Sequence, residues 1–133
     1  MKKLILIFTL LVSTIMFSSP SYAEWTKVVQ GAGNSNSGNT NYVDLEGIKK
    51  TGGYVYFWRL KDYLKPQKSG TFSAKAYTQG DCKSFRYKNL SVSFHKEPMG
   101  SGTGEIINPQ NPKWKYGSPK SVIGMILKSV CSR

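Results

Sequence analysis

The sequence predicts an α+β domain: a single antiparallel β-sheet of about five or six strands, with a C-terminal α-helix packed on it and joined to it by a disulfide. Three observations carry this. Apolar and polar side chains alternate with period two in short runs between Trp25 and His95, separated by Gly- and Pro-bearing turns. The period lengthens to 3.6 only once, between Lys120 and Cys131. The two cysteines, Cys82 and Cys131, fall one in each region. Successive strands joined by short turns favour an antiparallel meander, because parallel pairs need crossovers of about a dozen residues or more.

The first 23 residues read as a secretory signal peptide rather than as part of this domain. Lys2 and Lys3 form a positive start, Leu4 to Phe17 is a nearly unbroken apolar run of 14 residues, and Ser21 and Ala23 supply small residues for cleavage after Ala23. A bilayer-spanning helix needs about 20 apolar residues, more than this run provides. No Cys follows the leader, so N-terminal lipidation of the bacterial kind is not expected, and no second long apolar run occurs. The domain is therefore expected at 24–133, in the periplasm or secreted. An oxidising compartment leads two cysteines to pair. The other readings, a zinc site or a reactive thiol, are poorly supplied by two isolated Cys and one His.

Within the domain, Trp25 to Val29 is β-prone, and Gly31 to Asn41, built almost wholly from Gly, Asn, Ser and Thr, predicts a long loop. Calcium loops share that composition but need carboxylates, which this run lacks. Tyr42 to Leu45 resumes as a strand, and Glu46 to Lys50 allows one helical turn. After the Gly52-Gly53 turn comes the clearest strand, Tyr54 to Leu64. Tyr54, Tyr56, Trp58 and Leu60 share one face, expected to be buried along its length. Val55, Phe57, Arg59, Lys61 and Tyr63 share the other, which begins apolar and turns basic. Thr71 to Thr78 is a further strand.

Between Lys83 and His95 the alternation changes parity, with Phe85 and Tyr87 on one side and Leu90, Val92 and Phe94 on the other. A bulge near Lys88 or Asn89 reconciles them. Glu97 to Gly117 reads as irregular chain anchored by Trp114 and Tyr116. In the final helix Val122, Ile123, Ile126, Leu127 and Val130 form one stripe. Ser118 is the expected N-cap, with Pro119 in the first helical position. Gly124 costs this helix about 1 kcal/mol, so packing and the disulfide must hold it.

Chemistry is sparse. His95 is the sole histidine, and on a strand it would point the same way as Glu97. That pair is the best general-base arrangement available and would serve a small hydrolase. Surface or structural histidines outnumber catalytic ones in such settings. Among the acids no pair is selected by its spacing for glycosidase work, and Asp62 and Asp81 are expected to balance nearby Lys and Arg. Gly100-Ser101-Gly102-Thr103-Gly104 has the glycines of a phosphate loop without its Lys-Ser/Thr ending, so a turn crossing the sheet edge is the better reading. No catalytic, cofactor or metal residues are therefore assigned.

The charge is the strong signal. Nineteen Lys and Arg face seven Asp and Glu, a net of +12; without the leader it is +10. Arg59, Lys61, Lys65 and Lys68 cluster near one hairpin, and Lys83, Arg86 and Lys88 near another. Interleaved with Tyr63, Phe85 and Tyr87, they would present a surface to anionic polymers. Arg59, Lys61, Lys65, Arg86 and Lys88 are the candidate binding residues. The bland reading is a solvated basic face. Export disfavours a genomic nucleic-acid role.

Trp25-Thr26-Lys27, Tyr42-Val43-Asp44, Gly53 to Trp58, Asp81-Cys82-Lys83, Arg86, Pro98 to Gly102, Trp114 and Val130-Cys131 together resemble the surface-adhesin protein E family of Gram-negative bacteria. The resemblance implies an antiparallel sheet held to a C-terminal helix by a disulfide. It also implies a non-enzymatic role in binding host matrix or plasma proteins, beside the polyanions that the basic and aromatic surface suggests. The family's namesake is a surface lipoprotein, and this chain departs from it in lacking a lipid-acceptor Cys after the leader. A second role is an envelope-assembly or structural partner, pairing as a homodimer through an exposed strand edge such as Tyr54 to Leu64.

Overall fold

The computed structural model describes residues 24–28 and 38–133. The expected signal peptide and the Gly31–Ser37 part of the expected loop lie outside them. Among the described residues eight strands and one helix follow in order: β1 (Thr26–Lys27), β2 (Asn39–Val43), β3 (Lys49–Thr51), β4 (Tyr54–Tyr63), β5 (Ser73–Asp81), β6 (Arg86–His95), β7 (Gly104–Ile107), β8 (Lys115–Tyr116) and α1 (Val122–Cys131). A 3-10 turn at Pro98–Gly100 precedes β7. Every pairing is antiparallel, in the order β1-β2-β4-β5-β6-β7. β3 continues the edge of β4 beyond β2, and β8 continues the edge of β6 beyond β7.

Gly52 and Gly53 make the β3–β4 hairpin with φ +61 and +82, the pair of left-handed residues that a two-residue primed turn demands. The bulge falls at Leu90, beside the expected Lys88–Asn89: Tyr77 pairs with Ser91 and Thr78 with Asn89. Beyond it Val92 and Phe94 join the face of Tyr87 and Asn89. The long strand Tyr54–Leu64 is not an edge. β2 and β3 bond to one side of β4 and β5 to the other, so pairing between copies through that strand is closed off.

The helix covers the face of Val55 (5% exposed) and Phe57 (0%), whereas Tyr54, Tyr56 and Trp58 are only half-buried. The expectation that the face of Tyr54, Tyr56, Trp58 and Leu60 would be buried along its length holds at Leu60 (2% exposed) and fails at the three rings. Val and Phe have no polar atom to keep in water, while Tyr and Trp carry a polar tip that suits a half-wet surface. The core unites Val43, Val55 and Phe57 with Ile126, Leu127 and Val130. Each such side chain fully buried contributes about 1.5–3 kcal/mol. Gly80 lets α1 approach: a Cβ there would stand 2.8 Å from Val55 and 3.1 Å from Leu127.

The N-cap is Ser121, three residues later than expected. Its Oγ accepts the N–H of Gly124 at 3.0 Å and donates to the Ser118 carbonyl at 2.6 Å. Ser118 to Ser121 closes a turn of its own, Ser121 N–H to Ser118 O at 3.0 Å, which places Pro119 ahead of the helix. Gly124 has a positive reason to be glycine, since a Cβ would collide with the Ser118 carbonyl. Cys82, in the β5–β6 turn, is bonded to Cys131 at the end of α1, with Cα atoms 5.7 Å apart.

Two further expectations change. Glu97 to Gly117 is less irregular than it reads, because β7 and β8 form on the outer edge of β6. Asp62 does not balance a basic side chain; it accepts the Met99 N–H at 2.8 Å. Ser73 completes that anchor, donating to the Glu97 carbonyl at 2.6 Å and accepting the Gly100 N–H at 2.8 Å. The glycine-rich loop therefore crosses the sheet and links two strands, β6 and β7.

Candidate functional site

Strand side chains alternate between faces, so the register assigns every position. One face of the sheet carries α1. The opposite, open face carries Tyr54, Tyr56 and Trp58 from β4, Lys75, Tyr77 and Asp81 from β5, and Arg86 and Lys88 from β6. The anchored Pro98–Gly100 turn lies against its far end, over Asp62 and Lys75. The remainder is uncovered by any helix.

On this open face the aromatic rings form a connected row. Trp58 and Tyr77 lie opposite each other with centroids 4.9 Å apart, and Tyr56 stacks on Tyr77 at 6.3 Å. Tyr54 stacks on Trp114 at 5.6 Å, which brings the segment before β8 onto the sheet. Cations bracket the row. The Arg86 guanidinium and the Lys88 ammonium lie 4.4 and 4.5 Å from the Trp114 ring centre, and Lys75 is 6.0 Å from that of Trp58. Each exposed cation–ring contact is worth about 0.5–1 kcal/mol, so the pairs fix side-chain positions more than they hold the fold. Asp81 binds Arg86 Nε at 2.9 Å, and that bond, helped by the Ser84 N–H, holds its carboxyl below the usual range.

The five residues singled out in the sequence do not share one surface. Arg86 and Lys88 belong to the open face. Arg59 and Lys61 project from the helix face, where they line a groove of about 180 Å³ beside α1. Lys65 is exposed on the connection after β4. Arg59 donates through Nε to Thr78 Oγ1 at 3.0 Å and through Nη2 to Asn89 Oδ1 at 2.7 Å, with the Tyr87 ring 5.6 Å away. Burial lowers its pKa from the ordinary value. Lys61 is lowered also, first by burial and then by Arg59.

The sequence matches the family described as surface-adhesin protein E over residues 25–132. The chain belongs to the surface-adhesin protein E family. Among solved structures it is similar to crystal form II of Haemophilus influenzae protein E, with 17% identity and TM-score 0.58, over 85% of this chain and 91% of that one. It is likewise similar to protein E from non-typeable Haemophilus influenzae, with 17% identity and TM-score 0.58, over 86% of this chain and 79% of that one. At this identity the likeness establishes a shared fold. A comparison with curated sequences gives no significant match.

In this adhesin-family domain His95 is buried and held on both sides. Nδ1 stands 3.2 Å from the Gly102 carbonyl, which can only accept, so Nδ1 donates there, and Nε2 shares a hydrogen bond with the Ser93 hydroxyl at 2.8 Å. Glu97 lies beyond the end of β6 and is exposed, so the strand alternation that aligned it with His95 does not extend to it. Sequence reasoning missed Tyr54, Tyr56, Trp58, Tyr77 and Trp114 as surface residues. The available signal was their composition: all five are Tyr or Trp, rings that keep a polar edge. Among the described residues no helix is long and apolar enough to cross a membrane.

Proposed function

We propose that this protein is an exported, non-enzymatic, adhesin-like binding protein that engages polyanionic or acidic partners through the open aromatic face. The observation that carries the reading is the row from Trp58 through Tyr77 to Tyr56, with Trp114 on Tyr54, bracketed by Lys75, Arg86 and Lys88. Flat rings supply contact area at little conformational cost, and the cations supply the sign of the partner. Family membership and the leader pattern in residues 1–23 support an exported adhesin-like role. Sulfated glycans and acidic segments of matrix or plasma proteins fit this surface.

Heparin chromatography provides the test. Trp114→Ala with Lys88→Ala should elute at markedly lower salt than the parent, and retention of the parent should fall steeply with salt as counterions compete. The melting temperature should stay nearly unchanged, because neither residue belongs to the core. Unaltered retention would defeat the assignment of this face.

A second reading, an envelope-assembly partner or homodimer, is favoured by one observation. β7 pairs with β6 alone among the described strands, and on it Ile106 and Ile107 are 65% and 48% exposed. Light scattering showing a monomer at high concentration would count against it.

A further inference from the structure

The groove on the helix face has an ordered cross-section that the proposed polyanion surface does not use. Two rows of facing residues cross the sheet there. In one, Arg59 of β4 faces Ala76 of β5, which faces Val92 of β6; in the other, Lys61, Ala74 and Phe94 stand in the same order. The two alanines form a low floor between a cationic wall and an apolar wall. Ile126 of α1 lines the same groove.

The cationic wall lacks a carboxylate. All seven Asp and Glu lie among the described residues, and the one ion pair those residues make is Arg86–Asp81. Arg59 donates to Thr78 and Asn89, both through neutral oxygens. In the cross-strand row of Lys61 the acid is Glu105, opposite Phe94 and three strands away, roughly 14 Å at about 4.8 Å per strand, while Asp62, next to Lys61 in the chain, alternates to the opposite face and accepts the Met99 N–H. A desolvated cation beside a second one, with neutral acceptors only, is held at an electrostatic cost that an anion would offset. Arg59 still has N–H groups beyond the two engaged.

The geometry points to this groove as a binding site for a small alkyl carboxylate, its head between Arg59 and Lys61 and its chain across Ala74 and Ala76 against Val92 and Phe94. The size excludes a bulky occupant, since pockets for drug-sized ligands run from about 300 Å³ upward. An unbranched alkyl chain also suits the floor better than a peptide end. The backbone of β5 is engaged by β4 on one side and β6 on the other across Ala74 and Ala76, which leaves a peptide's own amides no main-chain partners.

Calorimetric titration of the purified protein with decanoate, decanol and inorganic sulfate tests this. Decanoate should bind with one-to-one stoichiometry. Decanol, which lacks the charge, and sulfate, which lacks the chain, should each bind at least about tenfold more weakly. Arg59→Gln should weaken decanoate by about tenfold, and Ala76→Leu, which fills the floor, should abolish its binding; both variants should keep heparin retention. Equal binding of decanoate and decanol, equal binding of sulfate, absence of decanoate binding, or binding that survives Ala76→Leu would each overturn the assignment. The ligand comparison on the parent protein decides the matter even if a variant fails to fold. Loss of heparin retention in the open-face variant bears on the other surface alone.

Discussion

Replacing Cys82 and Cys131 together by Ala should lower stability by about 4 kcal/mol while leaving the folded structure intact. The bond joins residues separated by 49 positions. Closing a loop of that size removes about 4 kcal/mol of conformational freedom from the unfolded chain at 25 °C. In the folded state α1 is held to the sheet independently, by Ile126, Leu127 and Val130 against Val43, Val55 and Phe57. Domains of this size have roughly 5–15 kcal/mol in all, so the variant should remain folded at 25 °C and melt roughly 15–30 °C lower. Paired thermal and guanidinium denaturation, with near-ultraviolet dichroism to monitor packing, measures both halves of the claim. A loss below about 1 kcal/mol would refute the chain-entropy account. A variant that has lost its near-ultraviolet signal at 25 °C would show instead that the helix depends on the bond for its place.

Ser121→Ala should cost about 1 kcal/mol by removing the cap on Gly124, whereas Ser118→Ala should cost little, because Ser118 contributes its backbone carbonyl; chemical denaturation of both variants compares them, and equal losses would contradict the capping assignment. Asp81 gives a pH dependence of definite sign. Its folded pKa is depressed, chiefly by the hydrogen bond from Arg86, so its contribution is complete above the unfolded value near 4 and is lost as pH falls through the lower folded value. The stability advantage of the parent over Asp81→Asn should therefore shrink below about pH 4, and a difference that is flat with pH would contradict the pairing.

The sheet, the closing helix and the bulge were legible because each follows from a local pattern, and the disulfide because a leader-like start implies an oxidising compartment for two cysteines. Alternation marks the strands, a 3.6-residue stripe marks α1, and the parity change between Tyr87 and Leu90 calls for one extra residue. β7 and β8 were not legible. Gly104–Ile107 and Lys115–Tyr116 are too short to show a period, and they become strands only because β6 offers them an unpaired edge. The cap moved from Ser118 to Ser121 for a similar reason. Both serines suit the position, and the choice rests on the Ser118–Ser121 turn, which composition does not display.

The candidate surfaces were harder to read because alternation sorts residues into two sets without saying which set faces the helix. On β4 the sets are Tyr54, Tyr56, Trp58 and Val55, Phe57, Arg59, Lys61. Hydrophobic weight alone favours burying the rings, which would leave Arg59 and Lys61 on the exposed face. Polar satisfaction favours the reverse, because tyrosine hydroxyls and indole N–H groups need partners that an all-apolar helix face of Ile126, Leu127 and Val130 does not supply. The second criterion wins. Burying Val55 and Phe57 also carries Arg59 and Lys61 to the helix side, beside α1. One parity decision thus places the ring-and-cation row on the open face and leaves two unneutralised cations beside an alanine floor. Two surfaces of the same charge but different shape follow from it, one broad and aromatic, the other narrow, with Val92 and Phe94 as its apolar wall. Exchanging which anions each can hold would require changing the register of β4, not a single side chain.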